Sequence, residues 1–576
     1  MTYEHPAQSS TAIPDQHGTN LFLSDPSLAA LLKIYLPGDL YRHLEAVFIE
    51  LGASAGGRID ELAQLADQHP PKLQHRLRTG EDVQRILKHP AYVEMERMAF
   101  SSLGLAAMTH RPGIFKWPKP LPMLVKYALT YVFVQSEFGL CCPVSMTDSL
   151  TGTLLKHGDQ ALIERYLPEL TTQDFDKLSQ GAMFITEQGA GSDVSCITTR
   201  AYRDGSDWKI EGEKWFCSNP DAGLAMVLAR VDGAPAGMKG LGLFLMPRTL
   251  PDGSRNRYHI VRLKDKLGSR SMASGEIRLD GAIAYPVGEI GRGFHNMATM
   301  INMSRLSNGV RAAGLMRRAV SEALFLAHNR KAFKRYLIDM PLMQRTLIKM
   351  VLPSEQARTM FMHLAVCMAQ AENGDQKAEK LVRILTPLIK FRACRDARKV
   401  TQDAMEVRGG CGYIEEWSDP RIVRDALLGS IWEGTSSIVA LDVVRSIQRD
   451  NTLAYLESYL NIKLNDKNIP ALSRESFKTV LRQINNLLED CAKTPDSVDV
   501  RQLATALYNI TSAVLMAWES AQSAGDFRRL GLANMVLKHR IWPNDPLSPA
   551  TPSDDQLIRK LLEECPLTQV EAMTAL

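Results

Sequence analysis

The chain has 576 residues, of which 45% are hydrophobic and 23% charged, the balance of an ordinary folded protein with a large core. The 68 basic and 64 acidic residues leave a formal net charge of +4, too weak a field to predict a polyanion-binding protein from charge alone. The N-terminus lacks a signal pattern, and no apolar run reaches the roughly 18 residues of a membrane helix, so we expect a cytoplasmic protein without membrane contact.

The nine cysteines form no recognisable ligand or disulfide pattern. None occurs in a CxxC pair, and the chain has no HExxH motif. Nine cysteines are also too few for a disulfide framework in a chain of this length. We therefore expect no structural or catalytic metal.

Helical spacing dominates from about residue 28 to about 170, which predicts an N-terminal helical domain over residues 1–178. Segments 41–52 and 160–167 place apolar side chains three or four positions apart, the spacing of amphipathic helices. The segment 111–122 carries four prolines and is predicted to be a loop, because proline cannot propagate a helix.

The pattern changes to short strands between residues 179 and 290. Residues 208–212 alternate between apolar and polar, while 224–230 and 241–246 read as buried strands. Asp-Gly pairs between the strands are typical of turns. This region is predicted to be a β-domain.

Helices are predicted again over 291–450 and in an extension over 451–576. One apolar stripe steps by three or four residues through Leu306, Val310, Ala313, Met316, Val320, Leu324 and Ala327. Further helical patterns cover 341–372, 376–408 and 436–448, with a kink predicted at Pro387 and a helix end at Gly409 and Gly410. The extension is interrupted by Pro543, Pro546, Pro549 and Pro552. The predicted fold class is α+β, mostly α.

Two candidate sites lie in the predicted β-domain. The first is TEQGAGSDV, residues 186–194, where small residues allow main-chain N–H groups to approach a ligand closely, although a plain β-turn explains the same residues. The second is the strand end KWFCSN, residues 214–219, where an aromatic wall and a hydroxyl suit a planar isoalloxazine. A core strand explains Trp215 and Phe216 equally well.

The third candidate is Glu433, in the sequence IWEGTSS. Apolar neighbours would raise the pKa of its carboxyl group and make it a stronger base. The alternative interpretation is an acid at the start of a helix, completed by the following Gly-Thr-Ser-Ser as a cap.

Together these motifs resemble the acyl-CoA dehydrogenases. TEQGAGSDV, EKWFCSN, KLGSRS, RKAF, GGCGY and WEGTSS occur in that family's order and rough spacing between about 130 and 450. The resemblance implies an N-terminal helical domain, a middle β-barrel-like domain and a C-terminal four-helix bundle, with FAD between barrel and bundle. The early NLFLSD, the LCCPVSM stretch, MEV before the diglycine, Trp432 and the helical extension resemble the AidB-like branch, named for the alkylation-response protein.

The resemblance also implies roles for individual residues. Glu433 matches the catalytic base, and Ser192, Arg305 and Gly434 match substrate-binding positions. The positions that match FAD contacts are Met183, Ile185, Thr186, Gly191, Ser192, Phe216, Ser218, Arg330, Phe333, Gln344, Glu406, Gly409, Gly410, Thr435 and Ser437. Arg330, Phe333 and Gln344 match residues that reach a neighbouring subunit's FAD, which implies an oligomer, usually a tetramer.

Three departures from the family pattern bear on these roles. Glu406 stands where many members have glutamine, although the AidB branch shares the acid. Lys334 replaces a usual glycine, which weakens the match to local FAD contacts. Ser304 occupies the position of an alternative base in other branches, which leaves Glu433 as the candidate.

The sequence is compatible with two functions from different classes. The first is an FAD-dependent acyl-CoA dehydrogenase that passes electrons to an electron-transferring flavoprotein. The second is a flavoprotein that binds DNA in a stress response through its C-terminal region, with weak dehydrogenase activity. Residues 451–576 carry 13 basic and 15 acidic residues, and their tight basic groups, Arg528-Arg529 and 538–540, are typical of a solvated helix face. We therefore favour the enzyme. The intact WEGT also argues against a scaffold that retains FAD without turnover.

Overall fold

A computed structural model of the chain describes residues 12–494, 497–542, 547 and 552–576. The helices are α1 (Pro26–Tyr35), α2 (Gly38–Gly56), α3 (Arg58–Gln68), α4 (Pro90–Glu96), α5 (Met123–Phe133), α6 (Cys141–His157), α7 (Gln160–Leu170), α8 (Gly293–Asn329), α9 (Pro341–Glu372), α10 (Gln376–Arg408), α11 (Ser418–Leu428), α12 (Ser436–Asp450), α13 (Thr452–Leu464), α14 (Ala471–Ala492), α15 (Val500–Ala521), α16 (Arg528–Val536), α17 (Pro552–Leu562) and α18 (Gln569–Met573). The strands are β1 (Lys72–Arg76), β2 (Asp82–Leu87), β3 (Gly181–Phe184), β4 (Arg200–Asp204), β5 (Asp207–Ser218), β6 (Leu224–Val231), β7 (Leu241–Pro247), β8 (Tyr258–Leu263), β9 (Ser274–Pro286), β10 (Lys331–Ala332) and β11 (Arg335–Tyr336).

Helices α1–α7 form the N-terminal region, and α5, which is buried along its whole length, lies at its centre. The proline-rich segment is a loop with a short 3-10 turn at Ile114–Lys116. Sequence analysis missed the antiparallel hairpin β1–β2. Hydrogen bonds from the middle domain hold this hairpin in place. The Ile260 amide donates to Gln84 Oε1 at 3.0 Å, and Arg248 Nη2 donates to the Gln84 carbonyl at 3.1 Å.

The middle domain is a closed sheet. Strand pairing runs β6–β4–β5–β9–β7, and β7 pairs again with β6, which closes the ring, while β3 adds to β6 and β8 to β9. Strand β7 is buried at every position, and β6 is buried at every position except Arg230. Both strands are buried on two sides because one face lies inside the barrel and the other packs against helices. The predicted barrel-like domain is confirmed.

The bundle consists of α8, α9, α10 and α12, with α10 packed against the other three. The predicted apolar stripe of α8 is buried from Leu306 to Ala327, with only Leu324 half-buried. Helix α10 continues through Pro387 and ends at Gly409, whose φ is +72°. The helical pattern with a 3.6-residue period was therefore sufficient to predict these helices.

The extension packs onto the bundle as part of the same apolar core, with α15 against α9, α10 and α12. The prediction of a solvated face at Arg528-Arg529 is wrong, because both side chains are buried. Arg529 donates to Glu355 and Glu519 at 2.5 and 2.7 Å, so these cations are neutralised inside the fold. The prolines at 543, 546 and 549 lie outside the described residues, and Pro552 begins α17. Among the described helices, none has the length and apolar character needed to cross a bilayer.

Candidate active site

Glu433 lies on the short loop between α11 and α12. Its φ is +55°, and that of Gly434 is +97°. A non-glycine residue in this region is uncommon and costs about 1–3 kcal/mol, so the surroundings must hold it there. The first turn of α12 contains no acid, and Thr435 makes no side-chain cap bond, so the helix-cap interpretation of Glu433 is wrong.

Two cations hold the Glu433 loop through its carbonyl groups. Arg305 Nε on α8 donates to the Glu433 carbonyl at 3.3 Å, and Lys390 Nζ on α10 donates to the Gly434 carbonyl at 2.5 Å. Arg305 is itself fixed by Asp442 on α12, with Nη1 2.6 Å from Oδ2. The loop therefore connects three helices of the bundle.

Burial raises the pKa of the Glu433 carboxyl group above its ordinary range. The charge of Arg305, hydrogen bonding with Ser304, and the charges of Lys390 and Arg311 oppose this rise without cancelling it. The residue keeps partial solvent exposure, and we call its partly exposed position between α8 and α10 the recess. Ser304 is buried beside the carboxyl group and cannot replace it as a base.

The glycine-rich loop after β3 is held by a buried ion pair that sequence analysis missed. Lys214 Nζ lies 2.7 Å from Glu187 Oε1, and the amides of Thr198 and Thr199 donate to the same carboxylate at 2.7 and 3.1 Å. The two ion partners are 27 positions apart, so no local pattern could show the pair. Beyond it the loop is open: a Cβ added at Gly189 or Gly191 would meet no atom within 4 Å.

The end of β5 forms an aromatic face. Phe216 is 56% exposed, unusual for a large apolar side chain in a folded domain. Lys264 Nζ lies 3.6 Å from the centroid of the Trp215 ring and 4.6 Å from that of Phe216. The aromatic face is therefore cationic at one end and open to a planar ligand.

Two predicted residues of the β-domain, Met183 and Ile185, share an apolar cluster with the residue that precedes Glu433. Met183, Ile185 and Trp432 pack against one apolar cluster, which joins the glycine-rich loop to the Glu433 loop. Ser218 and Glu433 both lie close enough to the Cys142 thiol on α6 to affect its pKa, Ser218 lowering it and Glu433 raising it. Thr186 is half-buried and accepts from the Trp215 amide at 2.8 Å, while Ser192 is exposed.

The other predicted cofactor residues lie mostly at exposed positions of the bundle. Phe333 is 93% exposed at the tip of the β10–β11 hairpin, and Lys334 beside it has the positive φ expected of the glycine that it replaces. Arg330, just before the hairpin, is partly exposed, whereas Gln344 is buried and donates to the Ile338 carbonyl at 2.8 Å. The remaining exposed positions are Glu406, Gly409, Gly410, Thr435 and Ser437.

Three family profiles match successive parts of the chain. The profile described as the AidB N-terminal domain of adaptive response proteins matches residues 12–177. The acyl-CoA dehydrogenase middle domain matches 182–282, and the acyl-CoA dehydrogenase C-terminal domain matches 291–448.

Relatives and solved structures agree with these profiles. The putative acyl-CoA dehydrogenase AidB of Escherichia coli is 33% identical over 78% of this chain and 82% of its own length. Acyl-CoA dehydrogenase family member 11 of Caenorhabditis elegans is 29% identical over 88% of this chain and 85% of its own. The crystal structure of Caenorhabditis elegans ACDH-11 in complex with C11-CoA has a TM-score of 0.83 and 26% identity, covering 98% of this chain and 95% of that one. The chain belongs to the acyl-CoA dehydrogenase family of oxidoreductases, with an N-terminal domain of the AidB type.

Proposed function

We propose that this protein is an FAD-dependent acyl-CoA dehydrogenase in which Glu433 removes the α-proton of an acyl-CoA thioester. The observation that carries the proposal is the position of Glu433. A carboxyl group with a raised pKa lies in the recess, on a loop fixed by Arg305 and Lys390, beside the end of the β-domain. A general base of this kind needs a pKa closer to neutrality than an exposed glutamate has.

The residues on the barrel side fit the isoalloxazine ring and the phosphates of FAD. The open backbone at Gly189 and Gly191 allows close approach of a ligand, and Phe216 offers an exposed ring face. Met183, Ile185, Thr186, Ser192 and Ser218 would hold the ring system of FAD on the barrel side. Bound FAD would supply the two-electron acceptor for the β-hydride.

Proton removal is assigned to the chain itself. An α-C–H bond of a thioester is too weakly acidic for a carboxylate in water, so the negative charge that develops on the carbonyl oxygen needs hydrogen-bond donors. Within the described ranges, the Glu433 main-chain N–H donates to no protein acceptor. We assign this N–H, beside Gly434, to the thioester carbonyl. The same residue would then supply both the base and one donor.

Arg305 acts as a positioning residue in this proposal. Its contacts with the Glu433 carbonyl and Asp442 fix the left-handed turn and thereby aim the carboxyl group into the recess. An acyl chain bound in the recess would displace water that otherwise competes for the base.

A second copy of the chain would complete the cofactor site. Phe333 is almost fully exposed on a two-stranded hairpin, an arrangement suited to contact with another subunit. We therefore propose a homotetramer in which Arg330, Phe333 and Gln344 serve a neighbouring FAD, with Glu406, Gly409 and Gly410 beside the nucleotide part of the cofactor. An electron-transferring flavoprotein is the proposed acceptor.

The DNA-binding alternative loses part of its basis in the structure. Arg528 and Arg529 are buried, and Arg540 Nη2 lies 2.9 Å from Asp396 Oδ1. Cations already paired inside the fold cannot neutralise phosphates. These observations favour the enzyme.

The test is a turnover screen combined with cofactor analysis. Purified protein is denatured to release FAD, which is quantified, and the native protein is assayed with straight and branched acyl-CoAs and a dye acceptor. We expect about one FAD per chain and dye reduction with at least one thioester. Absence of FAD after reconstitution would overturn the proposal, as would an FAD-loaded protein that reduces no dye with any thioester.

A further inference from the structure

Arg311 on α8 is a buried arginine that forms an ion pair with no carboxylate in the part of the chain that the structure describes. Its side chain is among the largest fully buried ones, at 1% exposure. Nε donates to the Ser307 carbonyl at 3.3 Å, and Nη1 has no hydrogen-bond partner. A buried guanidinium without a counter-charge is costly.

Other buried arginines in the described ranges show the usual arrangement. Arg358 lies 2.6 Å from Asp25, Arg408 2.7 Å from Asp419, and Arg318 2.8 Å from Glu322. In each case a carboxylate within hydrogen-bond distance offsets the desolvation of the cation. Arg311 therefore differs from them in lacking its anion.

Two aromatic rings surround the Arg311 guanidinium. Its central carbon lies 4.8 Å from the centroid of the Trp432 ring and 5.5 Å from that of Phe138. The two rings are near-parallel, with centroids 5.9 Å apart. The indole Nε1 of Trp432 is also buried without a hydrogen-bond partner. Two unpartnered donors thus lie in one small, largely apolar region.

This pair of donors borders the recess of Glu433. Trp432 directly precedes Glu433 in the chain. The positive charge of Arg311 is close enough to lower the pKa of Glu433 and of the Cys142 thiol, and Ser218 on the barrel side also lowers the pKa of this thiol. The donors therefore lie beside the recess that takes the thioester in the proposed function.

We propose that Arg311 and the Trp432 indole N–H form a subsite for a carboxylate at the far end of the acyl chain, so that the preferred substrates are ω-carboxyacyl-CoA thioesters. This inference rests on the proposed function. A planar guanidinium matches a carboxylate in shape and charge. A purely alkyl chain would leave both donors desolvated and unpaired, which opposes its binding.

A carboxylate at this subsite would also affect the base. It would offset the charge of Arg311, which otherwise lowers the pKa of Glu433. The pKa of Glu433 would then rise on binding, which makes the carboxylate more basic when the correct substrate is present. Recognition and activation would be coupled through one arginine.

The test compares thioesters of equal carbon number by calorimetric binding to the FAD-loaded protein. The pairs are glutaryl-CoA with valeryl-CoA and adipyl-CoA with hexanoyl-CoA. We expect wild type to bind the carboxylated member of at least one pair about tenfold or more tightly, the low end for a charge-assisted hydrogen bond. Arg311→Met should abolish this preference while binding of the alkyl member is kept or strengthened. Arg482→Met, at an exposed arginine of α14, is the matched control and should leave the ratio unchanged.

The outcomes separate this inference from the proposed function. Wild type that binds or oxidises alkyl thioesters and shows no preference for the carboxylated ones would overturn the inference and leave the dehydrogenase standing. Binding of no thioester at all would contradict the proposed function. If Arg311→Met does not fold, the test uses the ratio of affinities for carboxylated and alkyl thioesters in wild type and in Arg311→Lys. Lysine keeps the positive charge but lacks the planar guanidinium, so the preference for the carboxylated thioester should weaken but persist. An unchanged ratio in Arg311→Lys and Arg311→Met would assign Arg311 a purely structural role.

Discussion

Replacing Glu433 with glutamine keeps the size of the side chain and removes the proposed base. Its neighbours offer no substitute, because Ser304 is a hydroxyl, and Arg305 and Lys390 are cations bonded to the loop carbonyls. General bases contribute about 10²–10⁴-fold, or roughly 2.7–5.5 kcal/mol of barrier. We expect Glu433→Gln to reduce its flavin at least about 10²-fold more slowly, at the low end of that range. FAD should remain bound, because the glutamine still fits the recess.

The pH dependence of flavin reduction in wild type and of the melting temperatures of wild type and variant tests the same assignment independently. Only the ionised carboxyl group can accept the proton, so wild-type flavin reduction should fall as pH drops through the raised pKa of Glu433. The raised pKa also means that the ionised form is disfavoured in the fold. Glu433→Gln should therefore melt at a higher temperature than wild type at pH 8, and the difference should vanish below pH about 4, where the unfolded carboxyl is also protonated.

The assay is anaerobic mixing with a good acyl-CoA substrate, followed at the flavin absorbance band. Glu406→Gln is the control, because Glu406 is an exposed acid that the proposal places near the cofactor and not at the α-carbon. It should keep appreciable turnover. The assignment is refuted if Glu433→Gln reduces its flavin at nearly the wild-type rate.

Three further outcomes follow from the buried contacts and the exposed hairpin. Lys214→Met leaves the Glu187 carboxylate buried without its cation and should cost about 3–5 kcal/mol of stability at pH 7. Lys214 lowers the pKa of the Glu187 carboxyl group to about 2 in the folded state, so the difference in stability should shrink as pH falls from about 4.5 toward 2. Equal melting temperatures of variant and wild type at pH 7 would contradict this prediction. Arg529→Met should cost a similar amount, about 3–5 kcal/mol, and make the extension sensitive to proteolysis, since the buried Glu519 loses its arginine and Glu355 loses one of three. Unchanged proteolysis would argue against this network. Light scattering should show a tetramer for wild type and smaller species for Phe333→Asp, whereas a stable, FAD-saturated wild-type monomer would exclude the shared cofactor site.

The long helices and the buried strands could be predicted because their signal is local. The apolar stripe of α8 repeats every three or four residues, and β6 and β7 are short apolar runs bounded by turn residues. In both cases each residue's environment follows from its neighbours along the chain. The predicted bounds 341–372, 376–408, 436–448, 224–230 and 241–246 accordingly lie within two residues of the observed ones.

The hairpin and the ion pairs could not be predicted, because their partners are remote in sequence. Strands β1 and β2 are mostly exposed and polar, and they are held by bonds to Ile260 and Arg248. Arg528-Arg529 looks like a solvated pair until carboxylates more than 100 residues away, such as Glu355, are brought against it. A short run of charged residues therefore does not show whether its side chains are exposed or buried, because that depends on the tertiary fold.

Strained backbone occurs where the recognised motifs lie. Ser269 in KLGSRS, Phe333 and Lys334 in RKAFK, and Glu433 in WEGT all have positive φ without being glycine. Each costs about 1–3 kcal/mol and persists only where surrounding contacts determine it, as Arg305 and Lys390 do for Glu433. Propensity alone would place none of these residues in a left-handed turn, yet the motifs allowed their segments to be identified. A motif of this kind accompanies a backbone conformation that tertiary contacts enforce. The motif therefore identified Glu433 as the candidate base, although local sequence preference favoured a helix cap.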